Sequence, residues 1–276
     1  MKSFFITIFL LSVLACKNKD SKPSEKQLNI ETTKEDSIKK PQRPLAYKNG
    51  KFFEENGRKM LYGGKDSLQN FDISNTELNN KQFHYGIGRE AFPALLKPKF
   101  TTIKSADSLW NDDDRFILAY SGNDVKAYSV KDLTHHEVVN DVLNGEPIMA
   151  VYCVLADLGA IYDRQYGDKE LTFALSGYTY YDQNVWNGLD GFVLWDRETE
   201  SLWWPLIDRA VSGKLKGVEL LEKDKSHWKD TNWKYIKDNY PNAKILISGQ
   251  DYKRPKTWQK FDDVSNIVKN YSANKE

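Results

Sequence analysis

The sequence predicts an α+β fold, a single domain dominated by antiparallel strands with a few short helices. Three observations predict it. Short apolar or alternating runs recur between clusters of Gly, Asn, Asp and Ser, the pattern of strands joined by tight turns. Helix-start and helix-stop signals are few and bracket short segments. Hydrophobic residues make up 40% of the 276 residues and charged residues 29%, which supplies a packed core and excludes disorder throughout.

The elements follow in chain order. Lys2 precedes an apolar run from Phe4 to Leu11 and then Val13-Leu-Ala-Cys16. A basic start, an apolar stretch and small residues before a cleavage point make an export signal, and this stretch is shorter than the roughly 18 residues that a membrane span needs. Ending that order on Cys resembles a bacterial lipobox. The resemblance implies a signal peptide over residues 1–15 and a lipid on Cys16, and hence a lipoprotein of the bacterial cell envelope, held to the lipid bilayer of the outer membrane. Residues 16–45 read as a disordered tether: positions 17–45 hold eight Lys/Arg, five Asp/Glu, three Pro and few apolar residues, too little to repay the entropy of ordering. Residues 46–276 read as one globular domain. With Cys16 lipidated, Cys153 is the one thiol left, so no intrachain disulfide can form.

Within the domain, residues 116–120 and 125–128 flank Ser121-Gly-Asn-Asp124, a hairpin signature. Ser129-Val-Lys-Asp132 matches a capping box and opens a helix. Val138, Val139, Val142 and Leu143 continue it at helical spacing to a stop at Asn144-Gly145. Residues 147–153, 171–176, 192–195, 202–206, 218–221 and 243–247 read as strands. Trp228, Trp233 and Ile236 before Tyr240-Pro241 suggest a short helix, and Trp258, Phe261, Val264, Ile267 and Tyr271 recur at the spacing of a last one.

The chemistry-bearing residues gather near that first helix. At roughly 100° per residue, His135 falls inside the apolar arc, as a hydrogen-bonded core histidine would. His136 and Asn140 share its edge, whereas Glu137 and Asp141 project away, to be solvated or salt-bridged. Cys153 ends the strand that follows. A cysteine nucleophile needs a base and a group to orient that base, and Cys153, His136 and Asn140 supply these residue types. Cys153 and His136 also suit a soft transition metal such as copper, with a third ligand unassigned. A buried structural thiol is the third reading.

Other candidates are weaker. Alternation would put Asp196, Glu198 and Glu200 on one face. Yet Asp-Arg-Glu-Thr-Glu-Ser between two apolar runs reads as a hairpin turn in which Asp196 and Thr199 bond the backbone, which disfavours a two-carboxylate glycosidase. Tyr178, Tyr180, Tyr181, Trp186, Trp195, Trp203 and Trp204 form either a glycan-stacking sheet face or an aromatic core. Lys+Arg number 40 against 39 Asp+Glu, so no net field draws nucleic acid.

Seven segments taken in order carry a resemblance. They are Gly86-Ile-Gly-Arg-Glu-Ala-Phe-Pro-Ala94, Val125-Lys-Ala-Tyr128, His136-Glu-Val-Val-Asn-Asp141, Val151-Tyr-Cys153, Leu175-Ser-Gly177, Asp196-Arg-Glu-Thr-Glu-Ser-Leu-Trp203 and Val211-Ser-Gly213. Over roughly residues 71–250 the chain resembles a bacterial family named as a domain of unknown function, number 3179. The resemblance narrows the fold and implies no activity. One departure matters: where that family shows Tyr-Cys-Pro-Leu-Cys, this chain has Tyr152-Cys-Val-Leu-Ala156, so one sulfur of the Cys-x-x-Cys pair is gone. The expectation is an envelope lipoprotein with a metal-binding or thiol-chemistry site at His136 and Cys153. The alternative is a non-enzymatic module that binds glycan or an envelope protein through an aromatic sheet face.

Overall fold

The computed structural model describes residues 48–250 and 257–273. The export signal, Cys16 and the tether lie outside the described residues. β1 (Lys48–Asn49) precedes a hairpin of β2 (Phe52–Glu55) and β3 (Arg58–Leu61), and β4 (Phe71–Asp72) adds to it. The hairpin turns at Asn56-Gly57, both at positive φ as a tight turn requires. Next come β5 (Phe83–Tyr85), β6 (Phe100–Thr102), α1 (Ile103–Ala106), β7 (Arg115–Ser121) and β8 (Asp124–Ser129). They are followed by α2 (Val130–His136), β9 (Val138–Leu143), β10 (Glu146–Cys153) and β11 (Leu158–Asp163). β12 (Gln165–Tyr166) and β13 (Lys169–Glu170) form a small ribbon before β14 (Phe173–Tyr180), β15 (Gly191–Asp196), β16 (Leu202–Trp204) and β17 (Arg209–Ser212). β18 (Trp228–Asn232), α3 (Trp233–Asn239), β19 (Lys244–Leu246) and α4 (Ser265–Tyr271) complete the described chain.

Two sheets organise these strands. One has the order β1-β5-β14-β15-β16-β17, and the other β18-β7-β8-β19-β6; the ladder β11-β10-β9 adds three more strands. Their pairings are antiparallel apart from β8 with β19. Period-two alternation sorts side chains between two apolar clusters. In β7, Ile117 and Ala119 enter the large core, while Phe116 and Leu118 enter a smaller cluster with Trp233 and Ile236 of α3. Among the described residues no helix is long and apolar enough to cross a membrane.

The antiparallel strands and short helices match the sequence reading, but the helical share is small and the body is mostly β, with several sheets. The largest local correction is the helix expected to reach Leu143. Ser129 caps α2 as the sequence indicates, its hydroxyl accepting from the Asp132 N–H at 3.0 Å. The helix then stops at His136, because Glu137 turns left-handed at φ 55°. Val138 and Val139 are β-branched and favour the extended chain that follows. Asn144-Gly145, read as a helix stop, is the left-handed turn between β9 and β10. The strand expected at 218–221 is reduced to isolated bridges, Val218 with Ser272 and Glu219 with Arg209.

Candidate functional site

The end of α2 redistributes the residues that the sequence placed on one helix face. His135 is exposed, not core, and its Nδ1 bonds the Lys131 carbonyl at 2.9 Å. His136 is partly buried, and its Nδ1 sits 2.7 Å from the Pro93 carbonyl. A carbonyl only accepts, so Nδ1 carries the proton and Nε2 the lone pair. Asn140 lies on β9, not beside His136 on a helix. Its carboxamide brackets the β14 backbone, with Nδ2 donating to the Phe173 carbonyl and Oδ1 accepting from the Phe173 N–H, each at 2.9 Å. That carboxamide is spent on the fold. Asp141 is salt-bridged as expected, to Lys126 at 2.9 Å and to the Tyr128 hydroxyl at 2.7 Å.

Cys153 ends β10 and is buried. Burial, with the Glu137 carboxylate as a second cause, pushes its thiol up to about 12, against the pull of backbone N–H groups of Ala156, Phe192 and Leu155. At neutral pH almost no thiolate exists to act as a nucleophile. Among the described residues no hydrogen bond joins His136, Asn140 and Cys153 to one another. Nor does any group of three or more His, Cys, Asp and Glu side chains there stand close enough to hold a metal ion. A third ligand of these types beside His136 and Cys153 is thus lacking among the described residues.

Five of the seven aromatic residues are core, while Tyr181 and Trp186 are half-buried. Tyr178, Tyr180, Trp195, Trp203 and Trp204 are all buried, packed edge-to-face in pairs such as Phe173 with Trp203 and Tyr180 with Trp204. A glycan cannot stack on rings that solvent does not reach. The Asp196–Glu200 segment is a hairpin turn, as read, with its side chains turned inward. Asp196 accepts from the Thr199 N–H at 2.7 Å and from the Thr199 hydroxyl and Trp203 indole at 2.8 Å each.

What the tertiary structure adds is a cavity of about 360 Å3 between α2, the chain after β10, β14 and the loop following β5. Its apolar walls are Ile87, Phe92, Val154, Leu155, Leu175 and Phe192, of which Ile87, Phe92 and Val154 are exposed at the mouth. A bulge in β14 shapes one side, where the register shifts between Leu175 and Tyr178. There Gly177 sits at φ 82°, and a Cβ on it would come within 2.1 Å of the Gly88 backbone. Only glycine permits that approach. The Gly86 N–H bonds the Gly177 carbonyl at 2.9 Å, and the Glu90 N–H bonds the Leu175 carbonyl at 3.0 Å. Three of the segments that carry the family resemblance, 86–94, 136–141 and 175–177, thus meet around one cavity.

Four residues with polar side-chain atoms line it: Thr134, Glu137, Tyr178 and Thr179. The Thr134 hydroxyl donates to the Lys131 carbonyl at 2.7 Å, and the Thr179 hydroxyl to Asp190 at 2.8 Å. Asp190 in turn receives His84 Nδ1. Glu137 has no such partner. Burial alone raises its carboxyl to about 8, so it is mostly protonated at neutral pH. A left-handed glutamate at a helix C-terminus costs about 1 kcal/mol relative to glycine. Left-handed strain and a half-buried carboxyl without a hydrogen-bond partner among the described residues coincide at one residue. Sequence reasoning missed Glu137, which it placed among solvated or salt-bridged groups, and it missed Thr134 and Thr179. A helix stop read from the β-branched pair Val138-Val139 was the one available signal.

A family model described as "Protein of unknown function (DUF3179)" matches residues 89–274, roughly two thirds of the chain. The match starts and ends later than the 71–250 expected from the segments. Comparison with curated proteins and with solved structures gives no match.

Proposed function

The chain belongs to the DUF3179 family, and from that premise we propose that it is a lipid-anchored envelope protein whose body binds a small, largely apolar ligand in the cavity at Glu137. One observation carries the reading: Glu137 holds a left-handed conformation and, among the described residues, a carboxyl without a hydrogen-bond partner on the wall of a largely apolar cavity. Backbone strain and a desolvated acid both oppose folding, and both concentrate where a ligand would sit. At roughly 30 Å3 per water-sized group, 360 Å3 accommodates about a dozen non-hydrogen atoms.

The test is binding of 1-naphthalenemethanol, a neutral fluorophore of that size. It should bind with one-to-one stoichiometry and a blue-shifted emission. Val154→Trp at the mouth should weaken binding at least tenfold without loss of melting temperature. An absent signal, or one that Val154→Trp leaves unchanged, defeats the reading. The anchor rests on Val13-Leu-Ala-Cys16; Cys16→Ser should move the protein from the detergent phase to the aqueous phase, and unchanged partitioning of a processed Cys16→Ser form overturns it.

A further inference from the structure

We infer that the ligand of the Glu137 cavity carries a protonated amine, the ammonium pairing with the Glu137 carboxylate while its apolar body fills the space between Phe92 and Phe192. This rests on the cavity being a ligand site and specifies what that ligand is. The argument is an inventory of donors and acceptors. Each threonine hydroxyl has one proton, and both are already committed: Thr134 to the Lys131 carbonyl and Thr179 to Asp190. What the two oxygens still offer is lone pairs. The Tyr178 hydroxyl likewise donates to the Tyr62 carbonyl, and the remaining polar side chain is a carboxyl, a pure acceptor when it ionises. An acceptor-only lining is answered by a donor-only head, and an ammonium is three donors with no acceptor. A neutral alcohol or amide brings an acceptor for which these side chains have no uncommitted donor. Aromatic faces add to the match, since Phe92 and Phe192 line the same space and a desolvated cation is attracted to the ring face.

The proton balance is explicit. The empty site holds a proton on Glu137, and the amine arrives as R–NH3+. Binding releases the Glu137 proton to water and forms the ion pair, so no oxidant or other reactant is needed. Affinity for the amine should therefore rise about tenfold per pH unit as pH approaches 8, and level off once the free carboxyl is ionised. A neutral ligand that accepts the carboxyl proton would show the opposite slope. Other titratable groups stand on the elements around the cavity. The Cys153 thiol, on β10, is held up at about 12 and uncharged. The Tyr178 phenol, on β14, is raised by burial and donates to the Tyr62 carbonyl. Asp190 behind Thr179 is held by His84 of β5, and His136 of α2 is turned to the Pro93 carbonyl.

The experiment compares 1-naphthylmethylamine with 1-naphthalenemethanol, which share a body and differ in the head, by calorimetry between pH 6 and 8.5. At pH 7.5 the amine should bind at least tenfold tighter than the alcohol. Glu137→Gln should erase that preference, and His136→Asn should leave the pH slope intact. An alcohol that binds as well as the amine, or an amine affinity that falls as pH rises toward 8, overturns the ammonium assignment and leaves the cavity as a site for neutral ligands. Failure of both compounds to bind removes the site itself.

Discussion

Two turns of this protein bury carboxyl groups and treat them in opposite ways. At the β15–β16 turn, Asp196 is fully buried yet ringed by donors from Thr199 and Trp203. Beside it Arg197 Nε donates to Glu90 at 2.8 Å, and Arg89 lies over the Trp195 ring while its guanidinium reaches Glu200 at 3.0 Å. At the α2–β9 turn, Glu137 is half-buried and has no side-chain donor among the described residues. Burial raises both groups, but the donors hold Asp196 to about 6 from a usual 3.8, whereas Glu137 climbs to about 8 from 4.5. The difference separates a carboxyl used to close a turn from one kept for something that is not part of the chain. Burial by itself does not distinguish them; the partners do.

The comparison breaks most visibly at Arg197. Arg197→Ala leaves Glu90 buried beside an emptied site and should lower unfolding free energy by about 3–5 kcal/mol, read by urea denaturation. A loss under about 1 kcal/mol would mean that the β15–β16 network is not the structural half of the contrast. A middle-sized effect is expected at Asn140, also a structural group. Asn140→Ala strands the Phe173 N–H and carbonyl and should cost about 2 kcal/mol, with 1-naphthalenemethanol affinity unchanged within about twofold. A selective loss of binding at unchanged stability would return Asn140 to the functional site.

The smallest and most discriminating effect has the opposite sign. Glu137→Gly removes the left-handed strain and the desolvated carboxyl together, and should raise stability by about 1 kcal/mol at pH 7 while abolishing the amine preference. Because the folded carboxyl titrates above its unfolded value, its contribution to stability is complete below about pH 4.5 and is lost as pH rises to about 8. Glu137→Gln should flatten melting temperature across that window. An unchanged pH profile would show that Glu137 is solvated in solution and end the comparison.

Much of the fold was legible locally. The Ser129 cap, the Ser121-Gly-Asn-Asp124 hairpin, the strand ending at Cys153 and the inward-bonding Asp196 turn each depend on residues within a few positions of one another, and short-range sterics and hydrogen bonding decide them. The 138–143 run was not legible by period, because four apolar residues in six fit a helix stripe and a doubly buried strand equally well. Its β-branched content and the following Asn-Gly favoured the strand. The candidate site was less legible still. His136, Asn140 and Cys153 stood out by residue type, yet Asn140 is spent on backbone and Cys153 is sealed among N–H groups.

What the sequence determined by itself was the strand-dominated body, its family, and the turns that punctuate it. What only the tertiary structure decided was which polar group lacks a partner. Glu137 shares its cavity with residues from 86–92 and 154–192, none of them local in the chain. A carboxyl's protonation follows from the atoms that exclude water around it, and those are assembled only when β5, β10 and β14 come together.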